Sequence, residues 1–213
     1  MTHSALRIPR FYPILDVEIT RRRGFEPGRA AREILDGGAR ILQFRWKGFF
    51  SRREFSELES IREQCQKAGA LLVVNDRADI ARLAGAALHL GQDDLTPSTA
   101  RQIAGPDAVI GYSTHNEAQL RAAASELADY LAIGPIFATS SKMNPDPVLG
   151  LAELRRLRPL TSRPLVAIGG ISRSNALSVL ETGADSVAVI GDLFPENGNL
   201  RTRAAEWISL LGS

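Results

Sequence analysis

The sequence of 213 residues predicts an α/β protein that folds as one (β/α)8 barrel, a TIM barrel, over residues 1–213. Short, nearly continuous apolar segments alternate with amphipathic segments along the chain, and no change of composition marks a domain boundary. Apolar strands separated by helices are typical of a parallel sheet covered by helices, and eight such units close most economically into a barrel. A doubly wound open sheet is the alternative, but residues 16–25 lack the glycine-rich fingerprint expected after its first strand. We expect residues 1–10 to form a flexible N-terminal arm.

Each predicted strand is a short run rich in apolar residues and bounded by polar or turn-forming residues. The third strand, for example, is apolar until Asn75 and Asp76, its last two residues. The predicted strands are, in order, 11–16, 41–47, 71–76, 87–91, 109–114, 130–137, 164–168 and 186–190.

The helices between these strands carry start and stop signals. Pro27 suits the first position of a helix, and Gly37-Gly38 ends it. Ser51 and Glu54 form a capping box at the start of the next helix. Six helices are predicted with both bounds: 51–68, 78–84, 116–127, 151–157, 172–182 and 199–211. Two helices are predicted by their first residues, one at Pro27 and one at Thr96-Pro97.

Two connections are long enough to be described as loops. The one after the first strand carries Arg21, Arg22 and Arg23, which we expect to be solvated, although their position would also add positive potential to that end of a barrel. The other is the polar segment 138–148 after the sixth strand.

Composition narrows the class of protein. Hydrophobic residues make up 44% and charged residues 23% of the chain, and the formal net charge is only +2, so nothing global indicates a nucleic-acid partner. Cys65 is the sole cysteine, which excludes an intrachain disulfide. No apolar run approaches the roughly 20 residues of a membrane helix, and residues 1–10 do not resemble a secretory signal. We therefore expect a cytoplasmic protein with small-molecule partners, no nucleic acid and no membrane, and leave a homo-oligomer open.

The second predicted strand concentrates polar chemistry on one face. Side chains alternate along a strand, so Gln43, Arg45 and Lys47 point one way and Leu42, Phe44 and Trp46 the other. Two buried cations without partners are costly. The face carrying Arg45 and Lys47 is therefore expected to meet either a bound anion or carboxylates from neighbouring strands.

Polar residues recur at the carboxyl ends of the other predicted strands, where barrels place their active sites. Asp76 and Asp94 follow adjacent strands and suit one Mg²⁺, which takes one or two carboxylates and fills its remaining positions with water and phosphate oxygens. The alternative is that both aspartates pair with Arg45 and Lys47. The sequence favours the metal, because the two cations can serve the same phosphates.

A second anion site is predicted at the glycines that follow the last two strands. Gly169-Gly170 and Gly191 leave backbone N–H groups open to a phosphate, although a glycine pair by itself also indicates a tight turn. In the loop after the sixth strand, Thr139 and Ser141 are placed to donate to the same group, and Lys142 to reach a second anion.

The two histidines near the carboxyl ends of the predicted strands are not expected to be central to catalysis. His89 lies within a predicted strand and is expected to be structural, whereas His115 is expected to hydrogen-bond a loop, with a catalytic role left open. One anion site at the seventh and eighth strands and one metal-and-cation site at the second to fourth would hold two phosphorylated ligands together. That combination indicates group transfer with pyrophosphate as the leaving group.

Seven segments, in this order, resemble the thiamine phosphate synthase family, whose members join the pyrimidine and thiazole halves of thiamine in a barrel fold. The resemblance covers residues 11–194, and each motif is weak by itself whereas the ordered set is specific. The motifs are Gln43-Phe44-Arg45-Trp46-Lys47, Val74-Asn75-Asp76-Arg77, His89-Leu90-Gly91-Gln92-Asp93-Asp94, Gly111-Tyr112-Ser113-Thr114-His115, Gly134-Pro135-Ile136-Phe137-Ala138-Thr139-Ser140-Ser141-Lys142, Ala167-Ile168-Gly169-Gly170-Ile171 and Gly183-Ala184-Asp185-Ser186-Val187-Ala188-Val189-Ile190.

The resemblance implies a role for each matching residue. Hydroxymethylpyrimidine pyrophosphate would be held by Gln43, Arg45, Lys47, Asn75, Ser113 and Lys142, of which Arg45, Lys47, Ser113 and Lys142 would act in catalysis. Thiazole phosphate would be held by Thr139, Ser140, Ser141, Gly170, Ile190 and Gly191. Asp76 and Asp94 would carry Mg²⁺. The implied reaction begins with departure of pyrophosphate, and the thiazole nitrogen then captures the pyrimidine cation.

Three positions depart from the usual family pattern. Trp46 stands where an acidic residue is common, Ser141 replaces threonine and keeps the hydroxyl, and Gly191 replaces serine and loses a hydroxyl donor. The loss at Gly191 concerns affinity for thiazole phosphate rather than the chemistry.

Two other functions compete with the synthase. A related thiazole tautomerase would use His115 for proton transfer, and a non-catalytic barrel would only bind phosphorylated ligands. Neither needs the full set of charged residues at the predicted pyrophosphate site, and that set argues against both.

Overall fold

The computed structural model describes residues 6–139, 146–194 and 199–212, which form a closed barrel of parallel strands arranged in sequence order. The predicted (β/α)8 barrel is therefore confirmed. The strands are β1 (Phe11–Asp16), β2 (Ile41–Arg45), β3 (Leu71–Asn75), β4 (Ala87–Leu90), β5 (Ile110–Thr114), β6 (Tyr130–Ile133), β7 (Leu165–Ile168) and β8 (Ser186–Val189).

Helices follow the strands and cover the outside of the barrel. They are α1 (Val17–Arg22), α2 (Pro27–Asp36), α3 (Arg52–Ala68), α4 (Ala78–Ala84), α5 (Pro97–Ala104), α6 (Glu117–Ala122), α7 (Gly150–Leu157), α8 (Ala176–Leu180) and α9 (Leu200–Leu211). Short 3-10 turns span Ala123–Ser125, Arg158–Leu160 and Gly191–Leu193.

The segment after β1 is a helix rather than the expected loop, whereas Arg22 and Arg23 are exposed to solvent as expected. The Asp16 side chain accepts a hydrogen bond from the backbone N–H of Ile19 (2.9 Å) and thereby caps α1, while Thr20 is buried in the next turn. Arg21 forms an ion pair with Glu57 (3.0 Å) and is only partly exposed.

Several element ends also differ from the predicted ones. β2 ends at Arg45 rather than at residue 47, and β6 ends at Ile133 rather than at residue 137. Pro135 explains the latter, because it has no N–H to donate to a strand ladder. α8 begins at Ala176 rather than at residue 172, because the Asn175 side chain accepts from the Ser172 backbone N–H (2.9 Å) and holds a turn.

Alternation along the strands divides the core into two layers. Outward residues such as Phe11, Leu42 and Phe44 pack beneath the helices, and the Phe11 ring stacks on Trp207 at 5.4 Å. Inward residues such as Tyr12 and Val73 fill the barrel interior. The predicted faces of β2 are therefore correct.

The described part of the expected arm, 6–10, is packed against the barrel rather than free. Ile8 is buried with the interior residues, and the Ser186 hydroxyl donates to the Pro9 carbonyl (2.7 Å). Arg10 donates to the carbonyl of Leu211 (3.0 Å). These contacts close the end of the barrel opposite the site described below, because they lie where the strands begin.

Among the described residues, no helix combines the length and the apolar character that crossing a membrane requires.

Candidate active site

A cavity of about 1090 Å³ opens at the carboxyl ends of the strands. Every predicted site residue that the structure describes lies on its wall: Gln43, Arg45, Lys47, Asn75, Asp76, Asp94, Ser113, Thr139, Gly170, Ile190 and Gly191. Ser140, Ser141 and Lys142 lie outside the described residues. Residues separated by most of the chain therefore meet, as expected for a barrel whose loops build the site.

Arg45 forms an ion pair with Asp16, a residue that the sequence analysis did not select. Asp16 ends β1 and is 3% exposed, and β1 pairs with β2 so that Asp16 and Arg45 are direct neighbours in the sheet. The alternative pairing of Arg45 with Asp76 or Asp94, which the sequence did not favour, is therefore wrong for Arg45. Asp16 satisfies the criterion used for the other site residues, a polar side chain at the end of a strand, and that criterion would have found it.

Lys47 does form one of the ion pairs of that alternative. Its Nζ lies 2.5 Å from Asp76 Oδ2. Burial raises the pKa of Asp76 to about 6, helped by a hydrogen bond shared with Asp94 and opposed by Lys47. Asp76 also has a φ of 66°, a left-handed conformation that non-glycine residues rarely adopt. Such strain is often kept at functional positions.

The pair Asp76 and Asp94 fits a divalent cation. The neighbouring Asp94 carboxylate raises the pKa of Asp76 because like charges repel, and a cation between the two groups would remove that repulsion. Among the described residues, no group of three or more His, Cys, Asp or Glu side chains is placed to hold a metal by itself. A site with two carboxylates suits Mg²⁺, which commonly completes its coordination with waters and ligand phosphates.

Asn75 contributes a buried donor to the same wall. Its Nδ2 atom is inaccessible to solvent and has no hydrogen-bond partner among the described residues. Leaving a buried amide N–H without an acceptor costs about 1–3 kcal/mol, and a bound ligand with acceptor oxygens would remove that cost once the amide turns toward the cavity.

A continuous chain of hydrogen bonds crosses the barrel between Gln43 and Ser113. The Gln43 Nε2 donates to the Tyr12 hydroxyl (3.0 Å), which lies 2.8 Å from the Tyr130 hydroxyl. The Tyr130 hydroxyl lies 3.0 Å from His89 Nδ1, and His89 Nε2 lies 2.9 Å from Ser113 Oγ. Tyr12 and Tyr130 gave no signal in the sequence beyond their inward positions on β1 and β6.

Burial determines the protonation of this chain. It raises the pKa of Tyr12 and Tyr130 far above the ordinary value, so both hydroxyls keep their proton. It lowers the pKa of His89 to about 4, against a smaller opposing effect of Asp94, so the ring is neutral at pH 7. The expected structural role of His89 is consistent with these contacts.

His115 has the loop contact expected of it. Its Nδ1 lies 2.6 Å from the carbonyl oxygen of Gly134 and 3.6 Å from Asp146 Oδ2. The ring therefore connects the end of β5 to the segment that follows β6.

The glycines of the predicted phosphate site differ in whether their positions could accept a side chain. Gly170 has a φ of 63°, and a Cβ there would collide with the Ala138 carbonyl and with Phe137, so this position needs glycine. A Cβ on Gly191 would meet nothing within 4 Å. The missing side chain at Gly191 is therefore not a steric requirement.

The structure adds charged residues to this end of the cavity that sequence reasoning missed. Arg173 Nε lies 3.0 Å from Asp192 Oδ2, and Arg203 donates to the Asp192 carbonyl (2.7 Å). All three line the cavity beside Gly191. Arg203 lies on α9, far from any strand end, so no motif pointed to it.

A family model described as "Thiamine monophosphate synthase" matches residues 11–193. The chain belongs to this family. The resemblance of the seven motifs to the thiamine phosphate synthase family is thereby confirmed.

Similar proteins agree with this assignment. The chain is 48% identical over 216 residues to the thiamine-phosphate synthase of Koribacter versatilis, covering 99% of each chain. It is 43% identical to the thiamine-phosphate synthase of Laribacter hongkongensis, covering 76% of this chain and 77% of that protein. The solved structure of thiamine phosphate pyrophosphorylase from Pyrococcus furiosus superposes with a TM-score of 0.84 at 33% identity, covering 95% of both chains.

Proposed function

We propose that this protein condenses hydroxymethylpyrimidine pyrophosphate with thiazole phosphate to give thiamine phosphate and pyrophosphate. Membership of the family and the 48% identity over nearly the whole length of a named synthase support this reaction. The structural observation that carries it is the grouping of Arg45, Lys47 and the unpartnered amide of Asn75 on one wall of the cavity. These are donors suited to a pyrophosphate, and a single phosphate would not need all of them.

The chemical step breaks the bond between the pyrimidine methylene carbon and the pyrophosphate oxygen, and the electron pair leaves with pyrophosphate. The thiazole nitrogen then supplies its lone pair to the resulting carbocation. Arg45 and Lys47 stabilise the negative charge that grows on the leaving oxygen, and Lys142 is proposed to act with them. Gln43 and Ser113 hold the pyrimidine ring.

Asp76 and Asp94 are proposed to hold Mg²⁺. When bound, the metal would neutralise charge on the pyrophosphate and so make it a better leaving group. Lys47 lies against Asp76 and can turn from this carboxylate to the pyrophosphate when the ligand enters. Because burial disfavours the charged form of Asp76, a bound cation would stabilise its carboxylate strongly.

Thiazole phosphate is proposed to bind at the other end of the cavity. Thr139, Gly170, Ile190 and Gly191 lie on that wall, and the family resemblance adds Ser140 and Ser141. This arrangement would place the thiazole ring between its own phosphate site and the pyrimidine.

The tautomerase alternative is less well supported. It would use His115, whose Nδ1 contact with the Gly134 carbonyl at 2.6 Å leaves Nε2 as the base. It has no need, however, for the charged residues Arg45, Lys47 and Asp76 on the cavity wall. A barrel that only binds ligands would have no need for the strained Asp76 beside Asp94 and Lys47.

The deciding experiment supplies purified protein with both phosphorylated halves and Mg²⁺, and measures pyrophosphate release together with formation of thiamine phosphate. Parallel reactions omit one half or replace Mg²⁺ by a chelator, and we expect product only in the complete mixture. Tautomerisation of the thiazole phosphate without condensation would contradict the synthase assignment. The cytoplasmic location and the oligomeric state stay predictions.

A further inference from the structure

The hydrogen-bond chain from Gln43 to Ser113 has a direction that follows from the number of protons on each group. The Gln43 amide nitrogen only donates, so the Tyr12 oxygen accepts and its single proton is directed to Tyr130. The Tyr130 proton is then directed to His89 Nδ1.

The remaining links follow in the same way. A neutral imidazole carries one proton, and His89 is buried between two hydroxyl groups that hydrogen-bond both of its nitrogens. Because Nδ1 accepts from Tyr130, the proton lies on Nε2 and is donated to Ser113 Oγ. The Ser113 hydroxyl proton is left to point elsewhere, and Ser113 lies on the cavity wall.

We propose that Tyr12, Tyr130 and His89 are positioning residues that fix the hydrogen-bonding sense of Gln43 and Ser113 toward the substrate. With this direction, Gln43 offers its carbonyl oxygen to the cavity and Ser113 offers its proton. The site is thereby set for a ring that carries an N–H donor on one side and an acceptor on the other, as an aminopyrimidine does. This inference rests on the proposed synthase function and extends it to two tyrosines that do not line the cavity and to His89, which does.

The packing around the chain is an independent observation in its favour. Gly111 lies within β5, where glycine weakens a strand unless a close approach requires it. A Cβ at this position would overlap the Tyr130 ring and hydroxyl and His89 Nδ1. Gly111 therefore provides the space in which Tyr130 and His89 make their hydrogen bond.

Burial separates Tyr12 and Tyr130 from the groups that they orient. Tyr12 is 1% and Tyr130 0% exposed, and neither lines the cavity, whereas Gln43, His89 and Ser113 do. A substitution at either tyrosine therefore changes the cavity only through the chain.

The test uses the full-length Tyr130→Phe protein, which loses the central hydroxyl but keeps the ring. Tyr112→Phe is the matched control for the loss of a tyrosine hydroxyl, because Tyr112 packs against the outer core and its hydroxyl contacts Gln92 rather than the chain of hydrogen bonds. We expect Tyr130→Phe to raise the KM for the pyrimidine pyrophosphate about tenfold, the effect of one misdirected hydrogen bond. The KM for thiazole phosphate and all constants of Tyr112→Phe should stay within about twofold of the wild type.

A spectroscopic measurement distinguishes positioning from general damage. Two-bond ¹⁵N–¹H correlation spectra report which ring nitrogen carries the proton, and the His89 signals are identified by their loss in His89→Asn. We expect the Nε2–H tautomer in the wild type and in Tyr112→Phe, and a mixture with Nδ1–H in Tyr130→Phe.

The outcomes separate the inference from the proposed function. Wild-type protein without pyrophosphate release would overturn the synthase assignment. Active wild-type protein with the Nδ1–H tautomer would reverse the chain and overturn the inference, as would an unchanged KM and tautomer in Tyr130→Phe. If Tyr130→Phe unfolds, the same measurements on Tyr12→Phe/Tyr130→Phe, which removes the buried hydroxyl pair together, decide the question.

Discussion

Asp16 and Arg45 end adjacent strands and form an ion pair at the rim of the cavity. Asp16 also caps α1, so one buried carboxylate holds both a helix and a cation. Arg45 is thereby held in place before any substrate arrives, and an immobile charge is more effective in a transition state than a mobile one.

The first prediction concerns this pair. Asp16→Asn keeps an oxygen that can cap α1 but removes the charge that orients Arg45. We expect kcat to fall by about tenfold, equivalent to about 1.4 kcal/mol, while the KM for thiazole phosphate is unchanged. Steady-state kinetics with each substrate varied would measure this. Arg45→Ala should lower kcat by orders of magnitude, and full activity in both variants would show that Arg45 is not part of the site.

The second prediction concerns the proposed metal. Asp76→Asn and Asp94→Asn should each lower kcat by about a hundredfold or more, if the metal supplies several kcal/mol of charge stabilisation. The concentration of Mg²⁺ needed for half-maximal activity should rise as well. Asp107→Asn is the control, because Asp107 is exposed and precedes β5 at the other end of the barrel. Unaltered Mg²⁺ dependence in both site variants would contradict the assignment.

The third prediction concerns Gly191. Because a Cβ there meets no atom within 4 Å, serine fits and adds a hydroxyl donor to the proposed thiazole phosphate site. One added hydrogen bond contributes about 0.5–1.5 kcal/mol, so we expect Gly191→Ser to lower the KM for thiazole phosphate several-fold. Gly191→Ala separates the hydroxyl from the added carbon and should leave KM near the wild-type value. Gly170→Ala should weaken binding, since its backbone conformation and close contacts need glycine.

The fourth prediction concerns the capping box of α3. The Ser51 hydroxyl lowers the pKa of Glu54, and the Ser51 side chain accepts from the Arg53 N–H. A carboxyl group whose pKa is lowered by folding stabilises the protein above its unfolded-state pKa, and this contribution is lost as the pH falls through the folded-state pKa. Ser51→Ala should therefore lower the free energy of unfolding by about 1 kcal/mol at pH 7, and by less at pH 3.

Urea unfolding at both pH values would measure this difference. Ser60→Ala is the matched control, because Ser60 is exposed in the middle of the same helix, where alanine is the better helix former. An equal loss of stability at pH 7 and pH 3 would contradict the proposed dependence on Glu54.

Local sequence patterns predicted the positions of the strands and of the cavity wall, but not the pairs of residues that contact each other. The apolar runs located every strand, and the polar residues at their carboxyl ends located the cavity wall, because both depend on neighbours in sequence. The helix α1 was not predicted, because Asp16 both ends β1 and caps α1 and only the first of these roles was recognised from the sequence. The predicted start of α8 at residue 172 is wrong, because Asn175 forms a turn with Ser172 that competes with the helix.

The strand of Gln43, Arg45 and Lys47 shows where sequence reasoning ends. Its alternation by itself determined that the three side chains share a face and that the two cations, Arg45 and Lys47, need anionic partners. Only the closed barrel decided which partners they have in the protein itself: Asp16 for Arg45, Asp76 for Lys47 and the Tyr12 hydroxyl for Gln43. Such partners depend on the register between strands that are distant in sequence, and register is set when the whole sheet closes, not by any one strand.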